Sequence, residues 1–561
     1  MINFIHPSLF LLLGVIFTFV PFFNKKLVLL LFALISFLLS LFLNYGASID
    51  LNFLSFELQL FRVDFISKTF VIIFTLITLI ASIYALNQKS ILELRAAYLY
   101  VSAAIGAVLS GDLISLFVFW ELMAIGSTLV ILSNTSNKHS ESSGLRYLLI
   151  HLLGGVILMV GIIGYASIEK NILFSLLNLE NHFSWLILAG FLINAGAPPF
   201  AAWVADAYPE ASFSGTVFLS AFTTKTSVYA LIRGFAGSEI LIYFGLVMIF
   251  YGIIYALLEN DIRRILAYSI VNQVGFMLVG IGIGTQLSIN GAITHAFAHI
   301  IYKALLLMSA GSVIYMTQKR RCTDVGGLYR TMPITTICGI IGALAISSFP
   351  LTSGFTTKSM IVSGAAYEHL FSVWILLVAA SAGVFLHAGI KFPWFVFFQK
   401  DSGLRPKEPP KNMLLAMVLL SFLCILFGIF PNLLYQLLPF DKLYIPYTSD
   451  HVIFQLQLLL FAGLAFFVML PWLKRTLTIT LDFDWFYRVG LIKFLDAVRK
   501  VIYSYNILLS ELFNSIKIFV QNKINVSFNT ETGVGKNHWM TGNMVFALSI
   551  ILLIYLLVLL F

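Results

Sequence analysis

Apolar residues follow one another along this chain in long runs that short polar segments separate. One run, from Leu27 to Leu43, reads LVLLLFALISFLLSLFL, and another, from Met544 to Phe561, reads MVFALSIILLIYLLVLLF. A helix needs about 20 mainly apolar residues to cross a bilayer. The runs therefore predict an all-α polytopic membrane protein.

The spacing of the runs predicts sixteen transmembrane helices. Their predicted ranges are 7–23, 27–45, 65–87, 93–110, 112–134, 144–167, 183–204, 212–235, 238–259, 264–283, 286–317, 331–367, 371–398, 412–430, 452–473 and 541–561. Pro198 and Pro199 should interrupt the seventh helix, and Pro350 with Gly354 should interrupt the twelfth, because proline removes a helix hydrogen bond. We therefore expect two discontinuous helices, whose unpaired carbonyl groups need protein or water partners.

Charged residues make up only 11% of the chain, whereas a soluble domain carries about 25%. Lysine and arginine concentrate in the loops that follow odd-numbered helices, for example Lys319, Arg320 and Arg321. The positive-inside rule puts these loops in the cytoplasm and both termini outside. This distribution accounts for the net charge of +9 without a nucleic-acid partner.

The three cysteines, Cys322, Cys338 and Cys424, stand far apart in the sequence. Their spacing matches no disulfide framework, haem attachment site, iron–sulfur motif or metal site. The chain also contains no glycine-rich nucleotide-binding motif. We therefore predict no cofactor and no bound metal, which disfavours a redox enzyme in its own right.

Helices 4–8 and 9–13 look like two copies of one five-helix unit. The second helix of each copy starts near an aspartate, Asp112 or Asp261, and the fourth is the proline-broken one. The fifth carries a mid-helix base, Lys225 or His387. Because each unit has an odd number of helices, successive copies must be inverted, as in many ion-coupled transporters.

The chain then divides into six predicted segments. They are helices 1–3 (1–90), the first five-helix unit (91–236), the second unit (237–400), helices 14 and 15 (401–480), a cytoplasmic lateral helix with its linker (481–540) and the last helix (541–561). The lateral helix is predicted because polar residues recur every three or four positions from Lys493 to Gln521, which is typical of an amphipathic helix. It either lies free at the membrane surface or braces neighbouring helices or subunits.

The segment THAFAHIIYKALLLMSAG carries the clearest chemical signal in the chain. His295, His299 and Lys303 are spaced four residues apart, which places them on one stripe of a helix. An ionisable side chain in mid-bilayer costs several kcal/mol and is functional by default. Since histidine titrates near neutral pH, we predict that the stripe passes protons along the helix.

Other ionisable residues lie within predicted helices, and each also has a structural interpretation. Those assigned to the proton pathway with the stripe are Glu121, Lys225 and Lys358, and secondary candidates are Asp261, His387, Lys391, His151 and Asn194. Glu121 and Lys225 could instead form a structural ion pair, and Lys358 could satisfy carbonyls at the helix break. Lys391 could extend its amine towards the cytoplasmic surface, and His151 could be a satisfied core histidine.

Several motifs resemble the antiporter-like family that Mrp-type Na+/H+ antiporters share with respiratory complex I, and within it the D-type subunits of Na+/H+ antiporters. They are FWE at Glu121, PPFAAWVADAYPEA, FLSAFTTKTSVYALIR, NDIRRILAYSIVNQVGFM, HAFAHIIYKALLLMSAG and FPLTSGFTTKSMI. The resemblance covers helices 1 to 14 and implies membrane subunits as partners, in a bacterial inner membrane. The long lateral helix resembles that of the family's longest members.

The resemblance also implies roles for these residues. Glu121 would modulate a lysine and Lys225 would relay the proton centrally. The stripe would carry the proton on, and Lys358 would hand it to the exit. The family usually has a lysine where this chain has Asn194. Either Lys225 has taken over as the partner of Glu121, or the first half of the pathway is impaired.

Three functions fit this sequence to different degrees. The first is a subunit that translocates protons, or Na+ and protons, in a multisubunit Mrp-type antiporter. The second is the proton-pumping subunit of a complex I-like oxidoreductase or membrane hydrogenase, which uses the same motifs. A stand-alone solute transporter is disfavoured, because no cluster of aromatic and polar residues marks a pocket for an organic substrate.

Overall fold

The computed structural model describes residues 6–53, 56–169, 172–441, 444–472, 482–527 and 540–560. Nearly all of its regular structure is helical. The helices are α1 (Pro7–Phe17), α2 (Lys25–Leu41), α3 (Phe65–Tyr84), α4 (Ile91–Leu109), α5 (Leu113–Leu132), α6 (Ser140–Glu169), α7 (His182–Ala195), α8 (Ala202–Ala207), α9 (Gly215–Ala221), α10 (Thr223–Phe235), α11 (Ile240–Leu258), α12 (Ile262–Ile283), α13 (Gln286–Thr317), α14 (Pro333–Ile346), α15 (Ser353–Tyr367), α16 (Phe371–Val384), α17 (Lys411–Ile429), α18 (Asn432–Tyr435), α19 (Ser449–Met469), α20 (Leu491–Ser527) and α21 (Thr541–Leu560).

Within the described residues, eleven helices are long and apolar enough to cross a membrane. They are α3 to α6, α11 to α13, α16 with the π-helical turns that continue it to Phe398, α17, α19 and α21. The other five predicted ranges contain shorter helices, namely α1, α2 and the pairs α7/α8, α9/α10 and α14/α15. The protein is therefore a multi-pass helical membrane protein.

Both interruptions that the prolines predict are present. α7 ends at Ala195, and Gly196 takes the left-handed conformation with φ of 80°. The indole N–H of Trp203 donates to the carbonyl of Ile193 at 2.9 Å and so pairs one carbonyl near the break. α14 ends at Ile346, and α15 begins seven residues later. Each break leaves backbone carbonyls inside the protein for side chains to bind.

Two further irregularities were not predicted from the sequence. The eighth predicted helix divides at Phe222, where a φ of −109° distorts the helical backbone between α9 and α10. The thirteenth becomes π-helical from Phe385 to Lys391. No proline lies near Phe222, so the sequence gave no signal there, whereas Pro393 lies two residues after the π-helical segment. A predicted functional base lies at each irregularity: Lys225 follows Phe222 by three residues, and His387 lies within the π-helical segment.

The all-α prediction is wrong in one detail, because the chain forms a short antiparallel hairpin between α2 and α3. Strands β1 (Ser48–Phe53) and β2 (Phe56–Arg62) pair with each other. The β2 segment FELQLFR is too short to cross a bilayer, and it buries Leu58 and Phe61. The backbone N–H of Gln59 donates to Asp112 Oδ2 at 2.9 Å. The hairpin therefore packs at the start of α5.

Asp112 and Asp261 occupy matching positions. Each caps the N-terminus of a helix, α5 or α12, by accepting hydrogen bonds from backbone N–H groups of the first turn. Each also forms an isolated antiparallel bridge, Asp112 with Leu173 and Asp261 with Arg321. An aspartate at this position satisfies backbone donors that the helix cannot pair. Asp261 thus has a defined structural contact.

Arg320 joins two acidic residues in the loops at one end of the helices. Its guanidinium donates to Glu210 Oε1 at 2.9 Å and also binds Asp261. Burial alone would raise the pKa of the Glu210 carboxyl, but the hydrogen bonds and charge of Arg320 outweigh burial and lower that pKa to about 2. The ion pair therefore stabilises the folded protein at neutral pH.

We expect Arg320→Met to lower the free energy of unfolding by about 3 kcal/mol at pH 7, because two poorly hydrated carboxylates lose their partner. Glu210 has a lowered pKa, so its contribution is complete above its ordinary value of 4.5 and is lost as the pH falls towards about 2. In thermal unfolding in detergent, the stability of Arg320→Met should therefore approach that of the wild type as the pH falls from 4.5 towards about 2. Arg321→Met, at an exposed neighbouring position, serves as the control. A difference that stays constant down to pH 2 would contradict the assignment.

The chain forms two compact units, Met1–Asp484 and Trp485–Phe561. The second contains a π-helical turn (Phe486–Gly490), α20 and α21. α20 is the helix that the polar stripe predicts; its 37 residues correspond to about 55 Å. The predicted linker after it falls largely on residues 528–539, which lie outside the described residues.

Candidate functional site

The stripe predicted on α13 lies wholly inside the protein. His295, His299 and Lys303 each have no exposed surface. The two nitrogens of His295 contact different helices, with Nδ1 3.3 Å from Thr357 Oγ1 on α15 and Nε2 3.1 Å from Gln273 Oε1 on α12. His295 therefore joins three helices through hydrogen-bonding side chains.

His299 is the least satisfied member of the stripe. Neither of its ring nitrogens has a hydrogen-bond partner among the described residues. Its ring centroid lies 6.4 Å from that of His295, and Lys225, Lys303 and Lys358 are close enough to interact with it electrostatically. A buried polar atom is costly unless water reaches it. The surroundings of His299 are thus suited to water between charged side chains.

Lys303 completes the stripe and faces α12. Its Nζ donates to Ser269 Oγ at 2.8 Å and approaches the carbonyl of Leu266 at 3.5 Å. An ammonium has three donors, so these contacts leave it capacity for another partner.

Lys225 lies at the unpredicted break between α9 and α10. Its Nζ donates to the carbonyl of Ser220 at 2.6 Å and to Thr224 Oγ1 at 3.0 Å. The break at Phe222 interrupts the helical hydrogen bonding here, so the lysine takes a carbonyl that the helix would otherwise use. Lys225 is fully buried and carries no carboxylate partner within the described part of the chain.

Lys358 has the same kind of environment at the break between α14 and α15. Its Nζ donates to the carbonyl of Ile346 at 3.1 Å and lies 4.8 Å from the centroid of the Phe276 ring. Both central lysines therefore bind a carbonyl beside an interrupted helix. The sequence suggested that Lys358 could satisfy a carbonyl at the helix break, and the contact with Ile346 is of this kind. The ammonium still has donors left for other partners.

Glu121 does not pair with Lys225. No ion pair joins the two in the residues that the structure covers, and Glu121 Oε1 is buried without a hydrogen-bond partner. The carboxylate lies against α6, where a Cβ on Gly155 would be 1.9 Å from Oε1. The predicted ion pair, and the idea that Lys225 replaces the missing lysine as partner of Glu121, are wrong because Lys225 turns to the carbonyl of Ser220 instead.

Asn194 instead pairs with His151. The Nδ1 of His151 lies 2.7 Å from Asn194 Oδ1, and its Nε2 has no partner among the residues described. The ring of His151 contacts that of Tyr147, with centroids 4.0 Å apart. The hydroxyl of Tyr147 is 3.3 Å from Thr223 Oγ1, two residues from Lys225. His151 is thus only half satisfied.

His387 and Lys391 lie in the π-helical turn that follows α16. The Nδ1 of His387 is 2.8 Å from the carbonyl of Gly383. Lys391 donates to three carbonyls at the end of α11, those of Ala256, Leu257 and Glu259, at 2.6 to 2.9 Å. All three N–H donors of this ammonium are therefore used as a helix cap.

The structure brings most of the predicted residues together. Lys225, Lys303 and Lys358 interact electrostatically through the region of His299, and His387 interacts with Lys303 and Lys358. Glu121 stands apart from them. Sequence reasoning missed the uncharged residues that connect the charged ones, namely Gln273, Thr357, Ser269, Tyr302 and Tyr147. The sequence shows each of them as a polar side chain in the middle of a helix. A hydroxyl or amide there is a weaker indication of function than a charged group, because it costs less to bury.

These features define a class: a polytopic helical membrane protein with several bases buried in its interior and a partly exposed acid, Glu121, within a membrane-spanning helix. Residues 110–386 match the family model described as NADH:quinone oxidoreductase/Mrp antiporter, TM, and this range includes all six residues assigned to the proton pathway. The chain is 30% identical over 364 residues to the D-type subunit of the Na(+)/H(+) antiporter of Alkalihalophilus pseudofirmus, covering 60% of this chain and 73% of that protein. The chain belongs to the NADH:quinone oxidoreductase/Mrp antiporter transmembrane family.

Other relatives are longer than this chain. The A/B-type subunit of a probable K(+)/H(+) antiporter of Rhizobium meliloti is 30% identical over 381 residues, which are 64% of this chain but only 38% of that protein. Hydrogenase-4 component B of Escherichia coli is 24% identical, and the match covers 62% of its length. The chain thus spans between about a third and three quarters of these curated relatives.

Two solved structures share the fold. A chain of the Mrp complex from Dietzia sp. DQ12-45-1b has a TM-score of 0.66 and 20% identity, covering 77% of this chain and 91% of that one. A chain of the membrane-bound sulfane sulfur reductase, an archaeal respiratory membrane complex, has a TM-score of 0.72 and 23% identity, covering 99% and 100%. Both solved structures are structures of complexes, and the second is described as membrane-bound.

Proposed function

We propose that this chain is a proton-translocating subunit of a multisubunit Mrp-type cation/proton antiporter, moving protons or Na+ and protons. The observation that carries the proposal is the buried group of Lys225, His299, Lys303 and Lys358, which interact with one another without a carboxylate partner in the described region. Unpaired bases are expensive inside a membrane protein and are retained for function. The family of the chain supports the same function.

The proposed path runs from Lys225 to Lys303, then through His299 to His295, and finally to Lys358. Each base accepts a proton from the preceding one through an intervening side chain or water. Gln273 and Thr357 position His295 between α12 and α15. A lysine bound by one carbonyl keeps donors for the next partner, so Lys225 and Lys358 suit transfer better than the fully bonded Lys391.

We also propose the architecture in which this path works. It has sixteen membrane spans in the segments that the sequence predicts, with inverted five-helix units at spans 4–8 and 9–13. The matching caps and bridges of Asp112 and Asp261 support the repeat. The bacterial relatives support a bacterial inner-membrane location, and the basic loops support an orientation with both termini outside. Inverted repeats with broken helices place ion sites near the bilayer centre.

Glu121 and His151 form the proposed first part of the path, in which His151 supplies a base near the place of the family's lysine. His151→Leu should lower proton flux roughly tenfold, less than the ~10²-fold loss typical of a missing proton carrier, because Glu121 remains. Asn194→Ala removes the acceptor of Nδ1 but keeps the imidazole, so it should cost less flux than His151→Leu. Proton flux in vesicles measures both. Wild-type flux in His151→Leu would remove His151 from the path.

A second function is favoured by one observation. The likeness to the sulfane sulfur reductase chain extends over 99% of this chain, whereas the likeness to the Mrp chain covers 77%. The alternative is therefore the proton-pumping subunit of a complex I-like oxidoreductase or membrane-bound hydrogenase. The proton path would be the same, but the energy would come from a redox partner and not from a cation gradient.

Purification of the native assembly followed by mass spectrometry separates the two functions. We expect other membrane subunits of antiporter type and no iron–sulfur protein. Cation-driven proton flux in vesicles holding that assembly should then be measurable without any electron donor. Iron–sulfur subunits in the preparation, with proton flux that needs an electron donor, would establish the alternative. Recovery of the chain alone would contradict both.

A further inference from the structure

An apolar groove lies between α14, α19 and the π-helical turns that follow α16. Its volume is about 520 Å³. Each wall contributes apolar side chains to it, among them Ile340 and Leu344, Phe385 and Ile390, and Leu460 and Leu464. Two of the three walls belong to helices that are long and apolar enough to cross a membrane, and Leu460 and Leu464 are exposed. The groove therefore lies in the membrane-facing surface of this chain.

The groove owes its width to the backbone. Gly463 of α19 has no side chain, and a Cβ there would lie 3.5 Å from Phe385 Cε1 and 3.7 Å from Ile390 Cδ1, which is ordinary contact. Across the groove, Phe385–Lys391 form a π-helix, a rare conformation that is frequent at functional sites. The same segment buries His387 and Lys391. A ligand in the groove would therefore contact the segment that carries two of the buried bases.

The groove is about as long as one leaflet of the bilayer is thick. Its wall on α19 extends from Leu459 to Phe467, which is about 12 Å at a rise of about 1.5 Å per residue. The hydrocarbon core of a bilayer is about 30 Å thick, so one leaflet contributes about 15 Å. A helix about 10 Å wide and about 12 Å long occupies roughly 900 Å³, which exceeds the volume of the groove. These dimensions favour an extended acyl chain over a helix of another protein.

Basic residues follow the end of the groove at which Phe398 lies. The ring of Phe398 stacks on that of Tyr329, with centroids 5.5 Å apart. The segment 399–411, which comes directly after Phe398, contains the basic residues Lys400, Arg405, Lys407 and Lys411 and the acidic residues Asp401 and Glu408. The positive-inside rule puts this loop at the cytoplasmic surface. The groove therefore belongs to the cytoplasmic leaflet.

Both acidic residues of this loop already have partners, whereas two of its lysines do not. Asp401 Oδ2 lies 2.6 Å from a guanidinium nitrogen of Arg405, and Glu408 accepts hydrogen bonds from the first turn of α14. Lys400 and Lys407 are exposed and form no ion pair within the part of the chain that the structure describes. Lys400 follows Phe398 by two residues, so its positive charge stands at the cytoplasmic end of the groove.

We propose that this groove binds an acyl chain of an anionic phospholipid of the cytoplasmic leaflet, and that Lys400 and Lys407 bind the phosphate of its head group. Basic pockets between membrane helices on the cytoplasmic side recognise anionic head groups. The acyl chain packs against the π-helical segment from the membrane side and stabilises it. The site goes beyond the proposed function and does not depend on which ion the chain moves.

Photolabelling of the native assembly tests the site. The assembly is placed in phosphatidylcholine vesicles with a small fraction of phosphatidylglycerol that carries a diazirine in its acyl chain, and labelled residues are identified by mass spectrometry. Ile390 and Leu344 line the groove, whereas Phe461 is an exposed residue of α19 outside it and reports contact with bulk lipid. Relative to Phe461, labelling of Ile390 and Leu344 should be at least threefold higher with this probe than with phosphatidylcholine that carries the same diazirine.

Gly463→Leu should lower the labelling of Ile390 and Leu344 at least fivefold, because the leucine side chain fills the groove. Ala465→Leu is the matched control, since it adds the same side chain at an exposed position of α19 outside the groove. Gly463→Val replaces Gly463→Leu if that variant does not assemble. Unchanged labelling in the Gly463 variant would overturn the site.

The head-group contact has its own test. Lys400→Gln combined with Lys407→Gln should remove the preference for phosphatidylglycerol while the acyl chain still labels the groove. Equal labelling by the two probes in the wild type would overturn the anionic lipid as the ligand. Labelling of Phe461 without labelling of Ile390 and Leu344, together with cross-links from the groove to another subunit, would show that a protein covers it and would also overturn the proposal.

Discussion

Lys225→Ala is expected to lower proton flux at least ~100-fold, the loss typical of a missing proton carrier. The ammonium of Lys225 is buried between α9 and α10 and interacts with His299 and Lys303. Its contacts within the protein are a carbonyl and a hydroxyl, which cannot replace it as a base. Flux should be measured in vesicles with a pH-sensitive dye and normalised to the amount of inserted assembly.

Lys391→Ala is the matched control for this prediction, since it also removes a buried lysine from an irregular helix. Lys391 donates to three carbonyls at the end of α11, so its loss should cost about 2 kcal/mol of stability. Its proton flux per inserted assembly should stay near that of the wild type. Equal losses of flux in Lys225→Ala and Lys391→Ala would contradict the prediction. They would show that removing any buried lysine lowers proton flux, whether or not it lies in the path.

His299→Leu should lower proton flux to a similar extent, by ~100-fold or more. Both ring nitrogens of His299 lack partners in the described structure, so the leucine breaks no hydrogen bond to another described residue and fills a similar volume. We therefore expect thermal unfolding at or above the wild-type temperature, because an unpaired buried polar group is removed. This combination of a lost function with kept stability distinguishes a carrier of protons from a structural residue.

Thr294→Val serves as the control on the same helix. The hydroxyl of Thr294 is buried and donates to the carbonyl of Asn290 one turn earlier, outside the row of bases. Its flux and unfolding temperature should resemble those of the wild type. A flux near wild type in His299→Leu would remove the stripe on α13 from the path.

The sequence was informative wherever one helix contains the whole pattern. His295, His299 and Lys303 follow one another at a spacing of four, so their common face needed no knowledge of the fold. The two breaks near Pro198, Pro199 and Pro350 were predicted in the same way, since a proline removes a hydrogen bond of its own helix. Local rules of this kind were sufficient for the stripe and for two discontinuous helices.

The contacts between helices could not be predicted in the same way. The break at Phe222 has no proline, and it arises where the Lys225 ammonium offers the carbonyl of Ser220 another hydrogen-bond partner. Pairing of Glu121 with Lys225 was a reasonable prediction from opposite charges, but the distance between their helices is set by packing. The pairing of His151 with Asn194 depends equally on how α6 meets α7.

Both central lysines share one environment, which explains how a charge is kept inside the protein without a carboxylate. Lys225 binds the carbonyl of Ser220 and Lys358 binds that of Ile346, each beside an interrupted helix. Carbonyl groups at a helix end carry partial negative charge. The breaks therefore stabilise the ammonium while leaving it able to give up a proton, which a salt bridge would hinder.

The central claim is that one buried row of bases carries the proton. It is tested most directly by proton flux through the complete assembly with Lys225→Ala, His299→Leu and Lys303→Met combined, since water cannot easily bridge three missing carriers. The account predicts no flux above that of empty vesicles, with the assembly intact by mass spectrometry. Flux comparable to the wild type from an intact triple variant would contradict the account.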